Sequence, residues 1–163
     1  MNKKILISTG GSGGHVLPAI TIHDHLKNEH DVIISTDLRG HKYFNNDTYN
    51  IFVVDTPKLN KSILLPFAII KVFFLILKSI FLLKKQKIEI LISTGGYMSL
   101  PLCLASKILN TKLILFEPNL VLGRSNRLFI NSCEKIFCYS NEIKNFPKKY
   151  IDKISVIPAL LRK

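Results

Sequence analysis

The chain has 163 residues, with 23 Lys and Arg against 11 Asp and Glu, a net charge of +12. That length suits one domain with a full core, and so large a positive excess points to an anionic partner. Cys103, Cys133 and Cys138 sit in apolar surroundings without Cys-x-x-Cys spacing, which excludes a disulfide framework or a thiolate metal site and fits reduced core thiols of a cytosolic protein.

At the start, Met1-Asn2-Lys3-Lys4 leads into only three apolar residues, Ile5 to Ile7, too short a run for a signal peptide, so no export is expected. Ile5 to Ile7 reads as a buried strand, and it stops at Gly10-Gly11-Ser12-Gly13-Gly14. From Val16 the apolar residues recur at helical spacing with Leu17, Ile20 and Ile22, giving strand, glycine turn, helix. Amides at such a helix start attract anions, and residues without a Cβ let a phosphate come close, so Gly10 to Gly14 reads as a diphosphate cradle.

A P-loop is excluded, because no Lys follows the last glycine. A dinucleotide fingerprint keeps some support from Asp37 at the end of the second apolar run, although Val16 stands where its third glycine belongs. His15, next to the last glycine, reads either as a general base beside the ligand or as a cap of the turn.

Further strands are expected at Asp31–Ser35, Ile51–Val54, Ile88–Ser93, Lys112–Phe116, Ile136–Tyr139 and Ile154–Ile157, with Asp37 to Asn50 a polar loop holding one helical turn. Their alternation with helices predicts a doubly wound α/β parallel sheet, Rossmann-like, in one domain over 1–163.

The stretch from Ile63 to Leu83 is apolar enough to consider as a membrane span. Roughly 15 strongly apolar residues at about −0.3 to −0.6 kcal/mol each are nearly cancelled by Lys71 and Lys78 at about +2.5 to +3.5 each, so spanning is marginal. Lys71, Lys78 and Lys85 lie seven apart on one stripe, with Phe74 and Phe81 close to it. An interfacial helix touching lipid through Lys71, Phe74, Lys78 and Phe81 is one reading; a sheet-covering core helix with snorkelling lysines is the other. Lys84, Lys85 and Lys87 directly follow this stretch and favour an anionic membrane surface as the partner. Nucleic acid is not favoured, since the basic residues do not alternate with exposed aromatics.

Ile92-Ser93-Thr94-Gly95-Gly96 repeats Ile7-Ser8-Thr9-Gly10-Gly11 residue for residue. Both copies end a strand, so in a parallel sheet both turns should leave the same edge and face one pocket. Tyr97, Met98, Ser99 and Pro101 follow, Pro101 suiting the first turn of a helix. After the fifth strand, Glu117, Asn119, Asn126 and Arg127 leave that edge too. Glu117 would bond a sugar or polarise His15, or else Asn119 and Asn126 satisfy the loop's own backbone.

Taken together, Gly-Gly-Ser-Gly-Gly-His-Val-Leu-Pro-Ala at 10–19, Gly-Gly-Tyr-Met-Ser-Leu-Pro at 95–101 and Glu-x-Asn-x-x-x-Gly-x-x-Asn-Arg at 117–127 resemble the amino-terminal half of the MurG family. The resemblance implies the acceptor half of a GT-B glycosyltransferase that moves N-acetylglucosamine from UDP-N-acetylglucosamine to undecaprenyl-diphospho-muramoyl-pentapeptide in peptidoglycan synthesis. It implies that Gly13, Gly14, Gly95, Gly96, Tyr97 and Ser99 hold the acceptor diphosphate. Ser12, Glu117, Asn119 and Asn126 would contact substrate, and His15 would take the proton of the attacking 4-hydroxyl in an inverting displacement. No Asp-x-Asp motif occurs, so neither a metal nor a cofactor is expected. The implied location is peripheral, on the cytoplasmic face of the inner membrane.

Two departures stand out. The family's usual His-Glu-Gln-Asn is here Phe116-Glu117-Pro118-Asn119, and the chain reaches Val156 to Lys163 about where the family passes into its linker. The donor-binding half is therefore expected to be absent, and the chain alone is expected not to catalyse transfer at a useful rate. The alternative is a membrane-bound, lipid-diphosphate-binding subunit of a two-chain transferase.

Overall fold

Branched apolar runs bounded by glycine or polar residues favour extended backbone, and the computed structural model, which describes residues 2–45, 48–57 and 65–159, builds a sheet from seven of them. The strands are β1 (Lys4–Ser8), β2 (Asp31–Thr36), β3 (Ile51–Val53), β4 (Ile90–Ser93), β5 (Lys112–Glu117), β6 (Lys135–Cys138) and β7 (Ile154–Val156). All pairings are parallel, in the order β3-β2-β1-β4-β5-β6-β7. The chain winds outward from β1 to β3, then returns to β4 on the other side of β1. That reversal is where ligand crevices open in such sheets.

The helices are α1 (Gly13–Leu26), α2 (Leu38–His41), α3 (Leu65–Lys85), α4 (Leu100–Leu109) and α5 (Arg124–Phe129). One sheet face, carrying Leu6, Ile33, Leu91, Leu113, Leu115 and Ile136, packs with Leu83 of α3 and Leu102, Cys103 and Ala105 of α4. The opposite face packs Ile5, Ile7, Val32 and Ile92 against Ala19 of α1. Burial on both sides explains why the central strands read as nearly unbroken apolar runs. Cys103, Cys133 and Cys138 are buried free thiols. Burial pushes the Cys103 and Cys138 thiols up to about 12, which keeps them protonated and inert.

Strand ends fall within a residue or two of expectation, and the largest shift has a local cause. Ile88 does not open β4: its N–H closes the turn after α3 on the Leu83 carbonyl at 2.9 Å, behind Lys87 at φ 53. The last cleft-facing helix begins at Arg124, ahead of Asn126.

The two readings of α3 part at its exposed face. Its buried residues include Val72, Ser79 and Leu83, while Phe67 is 70% exposed, Phe81 65%, and Ile70, Phe73, Phe74 and Leu77 about half exposed. A plain buried core helix is therefore not what forms. The expected start of the stretch, Ser62 to Leu64, lies outside the described residues.

Candidate functional site

The site begins with a register. Ser8 of β1 lies opposite Ser93 of β4, so the two glycine turns leave the same rim side by side. They are tied at once: the Thr94 N–H donates to the Ser8 carbonyl at 3.0 Å, and the Thr94 hydroxyl donates to the Thr9 hydroxyl at 2.8 Å.

The first turn is clamped from the β2 side. Asp37, fully buried at the start of α2, accepts from the Gly11 N–H at 2.8 Å, the Gly40 N–H at 2.9 Å and Arg39 Nε at 3.0 Å. A Cβ on Gly10 would stand 2.7 Å from Asp37 Oδ1, so only glycine lets the carboxylate come this close. Burial by itself would raise the Asp37 pKa; the two amides and the guanidinium outweigh it and hold the carboxyl below its usual range. Asp37 is thus turned inward onto these donors and is 0% exposed, which takes away its support for a ribose-binding dinucleotide site.

The second turn receives His15. Its Nδ1 lies 2.8 Å from the Thr94 carbonyl, an atom that only accepts, so Nδ1 carries a proton and in the neutral ring Nε2 keeps the lone pair. Cβ atoms placed on Gly95 and Gly96 would meet the imidazole at 3.4 Å, and the two residues have φ of 87 and 76. The ring thus rests against a turn whose left-handed backbone favours glycine at both positions.

Next to it opens a cleft of about 240 Å³, lined by His15, Gly95, Gly96, Tyr97, Glu117, Asn119, Gly123, Arg124, Ser125 and Asn126. A half-buried imidazole with a free nitrogen, facing a small polar cleft, can take a proton from a bound hydroxyl.

The third loop supplies the far wall. Glu117 Oε1 accepts from the Asn119 N–H and Nδ2 at 3.2 and 3.0 Å, and Oε2 from the Gly123 N–H and Asn126 Nδ2 at 2.8 and 3.0 Å. Glu117 therefore shapes the loop, and the Thr94 carbonyl, not Glu117, orients His15. Asn126 is 2% exposed; its Nδ2 also donates to the Phe116 carbonyl at 3.1 Å, and its Oδ1 has no partner among the described residues. That oxygen is a buried acceptor in the cleft wall left without a donor.

The other expected residues divide. Tyr97 lines the cleft with a buried hydroxyl that has no partner among the described residues, and burial raises its pKa. Ser99 is buried beneath the second turn, donating to the Gly96 carbonyl at 2.8 Å and lying 3.3 Å from the Ser125 hydroxyl. Ser12 caps α1, and Gly13 and Gly14 begin it, with Ser12 and Gly14 exposed and Gly13 half-buried; the first amides of the helix have no partner within it, and none of the three residues lines the cleft. Lys71, Phe74, Lys78 and Phe81 are all exposed on α3; Phe74 packs edge-on against Phe73, and Lys85 Nζ sits 5.8 Å from the Phe81 ring.

Sequence reasoning missed Thr9, Thr94, Arg39, Arg124 and Ser125. The duplicated Ser-Thr-Gly-Gly could have pointed to the two threonines; the others carry no signal. Among the described residues, no group of three or more His, Cys, Asp or Glu side chains comes together as a metal site.

Comparison with known proteins follows the same outline. Residues 5–138 match the glycosyltransferase family 28 N-terminal domain. The chain is 60% identical over its whole length to 46% of a Pelagibacter ubique protein named UDP-N-acetylglucosamine–N-acetylmuramyl-(pentapeptide) pyrophosphoryl-undecaprenol N-acetylglucosamine transferase. A Rickettsia prowazekii protein of the same name is 35% identical, with 99% of this chain and 42% of the relative covered. In fold the chain resembles the crystal structure of Acinetobacter baumannii MurG, with a TM-score of 0.81 and 20% identity over 99% of this chain and 47% of that one. The chain thus spans about half the length of the relatives it matches, and the resemblance to the amino-terminal half of MurG is borne out.

Proposed function

The chain belongs to the glycosyltransferase family 28 N-terminal domain family, and from that premise we propose that it forms the acceptor-binding half of an N-acetylglucosaminyltransferase of peptidoglycan synthesis. The acceptor is a lipid-linked diphospho-muramoyl-pentapeptide and the donor is UDP-N-acetylglucosamine. The observation that carries the reading is the imidazole of His15, laid on the second glycine turn with Nδ1 on the Thr94 carbonyl and Nε2 free beside the cleft.

In this mechanism Nε2 takes the proton of the acceptor 4-hydroxyl as that oxygen attacks the anomeric carbon and UDP departs. The amides of Gly13, Gly14 and Gly96 meet the acceptor diphosphate, while the Gly95 N–H stays on the Ser93 hydroxyl and Gly95 serves by its close backbone. Asn126 Oδ1 and the Tyr97 hydroxyl bond sugar or amide groups. No resident metal or cofactor is called on. A donor-binding half, in the same polypeptide or as a separate chain, must hold the sugar nucleotide in line.

The bare apolar face of α3, edged by Lys71 and Lys78, supports peripheral attachment to the cytoplasmic face of the inner membrane. Burying half the exposed area of Phe67, Ile70, Phe73, Phe74, Leu77 and Phe81 is worth on the order of 5 kcal/mol before the cost of docking. That self-sufficient face also favours a second arrangement, a membrane-bound subunit of a two-chain transferase.

The test combines this chain with a donor-binding half and labelled UDP-N-acetylglucosamine. Transfer to lipid-linked acceptor is expected with both halves and not with either alone. An acceptor that binds equally well to a chain lacking the Gly95-Gly96 turn would refute the assignment.

A further inference from the structure

Between α3 and the edge strand β3 runs a groove of about 460 Å³. Its floor is apolar, with Phe52, Val54, Leu75 and Leu82, and its α3 side carries Lys71, Lys78 and Lys85 against a single acid, Asp55. None of the three lysines makes an ion pair among the described residues. A seven-residue step on a helix advances about 10 Å, so these cations form an evenly spaced file along the rim. Like charges so arranged favour an anionic occupant.

A second observation points to the same ligand. Ser79 lines the groove next to Lys78, is 1% exposed, and its Oγ has no partner among the described residues. A serine on a helix can bond back to the carbonyl four residues earlier; this one does not, and a buried hydroxyl left unpaired is costly. An oxygen entering the groove would complete it.

We propose that this groove is a headgroup site for one anionic phospholipid, its phosphate held by the Lys78 ammonium and the Ser79 hydroxyl. The proposal rests on the membrane-surface reading of α3 and deepens it. Lys71 and Lys85, about 10 Å to either side, draw the headgroup in but are too far apart to share one phosphate. The apolar floor selects a lipid over a free anion. Phe81 lines the groove and also belongs to the bare stripe of α3, so acyl chains leave the groove directly onto apolar surface.

The test uses the 163-residue chain, labelled for amide nuclear magnetic resonance, and dihexanoyl phosphatidylglycerol below its micelle concentration. Saturable shifts are expected at Lys78, Ser79 and Asp55, with dihexanoyl phosphatidylcholine and inorganic phosphate each at least about tenfold weaker. Ser79→Ala, which keeps the charge and is tolerated in a helix, should weaken this binding about fivefold and leave attachment to phosphatidylglycerol vesicles unchanged.

Phosphatidylcholine binding as well as phosphatidylglycerol would reduce the groove to an apolar crevice and overturn the proposal, as would inorganic phosphate matching the lipid. Vesicle attachment without saturable binding of the soluble lipid overturns the headgroup site and leaves the membrane reading standing. Failure to attach to anionic vesicles at all overturns both.

Discussion

Ile7-Ser8-Thr9-Gly10-Gly11 and Ile92-Ser93-Thr94-Gly95-Gly96 are the same residues at the ends of paired parallel strands, yet they are held differently and do different work. The first copy is gripped by a buried carboxylate from the neighbouring strand, Asp37 on the Gly11 amide, and runs straight into α1. The second is held by serines of its own segment: the Gly95 N–H donates to the Ser93 hydroxyl at 3.2 Å, and the Ser99 hydroxyl to the Gly96 carbonyl at 2.8 Å. One copy delivers an imidazole and the other is the surface that receives it. Identical sequence has become two parts of one device because β1 has β2 on its far side and β4 has β5. The neighbours, more than the motif, assign the role.

The strongest way to sharpen this contrast is to remove what passes between the turns. His15→Ala, in enzyme reconstituted with a donor-binding half, should lower kcat about 10²- to 10⁴-fold, with acceptor Kd changed less than about twofold. Equal losses in turnover and binding would make His15 a binding residue.

A matched pair comes next, since Gly11 and Gly95 share a φ of 85 and 87. Alanine at either should cost about 1–3 kcal/mol of stability through backbone strain, read by denaturant unfolding. Only at Gly95 would the added methyl and any shift of the strained turn bear on the imidazole, 3.4 Å from it; a Cβ on Gly11 meets the far end of Arg39 at 3.5 Å. Turnover should therefore fall at least about tenfold more for Gly95→Ala. Equal activity losses would erase the distinction between the turns.

Asp37→Asn tests the first clamp. It keeps an acceptor for the two backbone amides on Oδ1 but turns an N–H₂ toward the Arg39 guanidinium in place of Oδ2, and should cost about 2 kcal/mol of stability with a smaller effect on turnover than Gly95→Ala. The smallest effect is the pH dependence of that difference. Because the folded Asp37 carboxyl lies below its ordinary value of 3.8, its contribution is complete above that pH and is lost as pH falls through the folded value. The stability gap between wild type and Asp37→Asn should be constant near neutrality and narrow below about pH 4. A gap that widened in acid would contradict the clamp.

The strands were legible in the residues, because branched apolar runs such as Ile5 to Ile7 and Leu113 to Leu115 carry their own signal. So was the shared rim, since a repeated strand end in a parallel sheet must emerge on one side. What was hidden depended on neighbours brought together by strand order. Nothing in Asp37 itself says that it will turn inward onto Gly11, away from a ribose, and no side-chain identity marks the Thr94 carbonyl as the partner of His15. Glu117 looked like a ligand for sugar because carboxylates often are; only the closed loop of Asn119, Gly123 and Asn126 reveals it as a frame. For α3, spacing placed the lysines on one stripe but could not say which neighbouring face the sheet would cover.

On the membrane attachment and lipid-linked acceptor proposed above, the direction of α3 bears on how that acceptor would arrive. As the crossover between two parallel strands, it runs counter to them, so its first turn stands level with the glycine rim and its last turn lies at the opposite edge. Laid flat along a bilayer, such a helix would set the strands parallel to the lipid plane, and the mouth of the cleft would open sideways over the headgroups. A long isoprenoid could then stay immersed while its sugar slid in laterally, with no need to lift the carrier from the membrane.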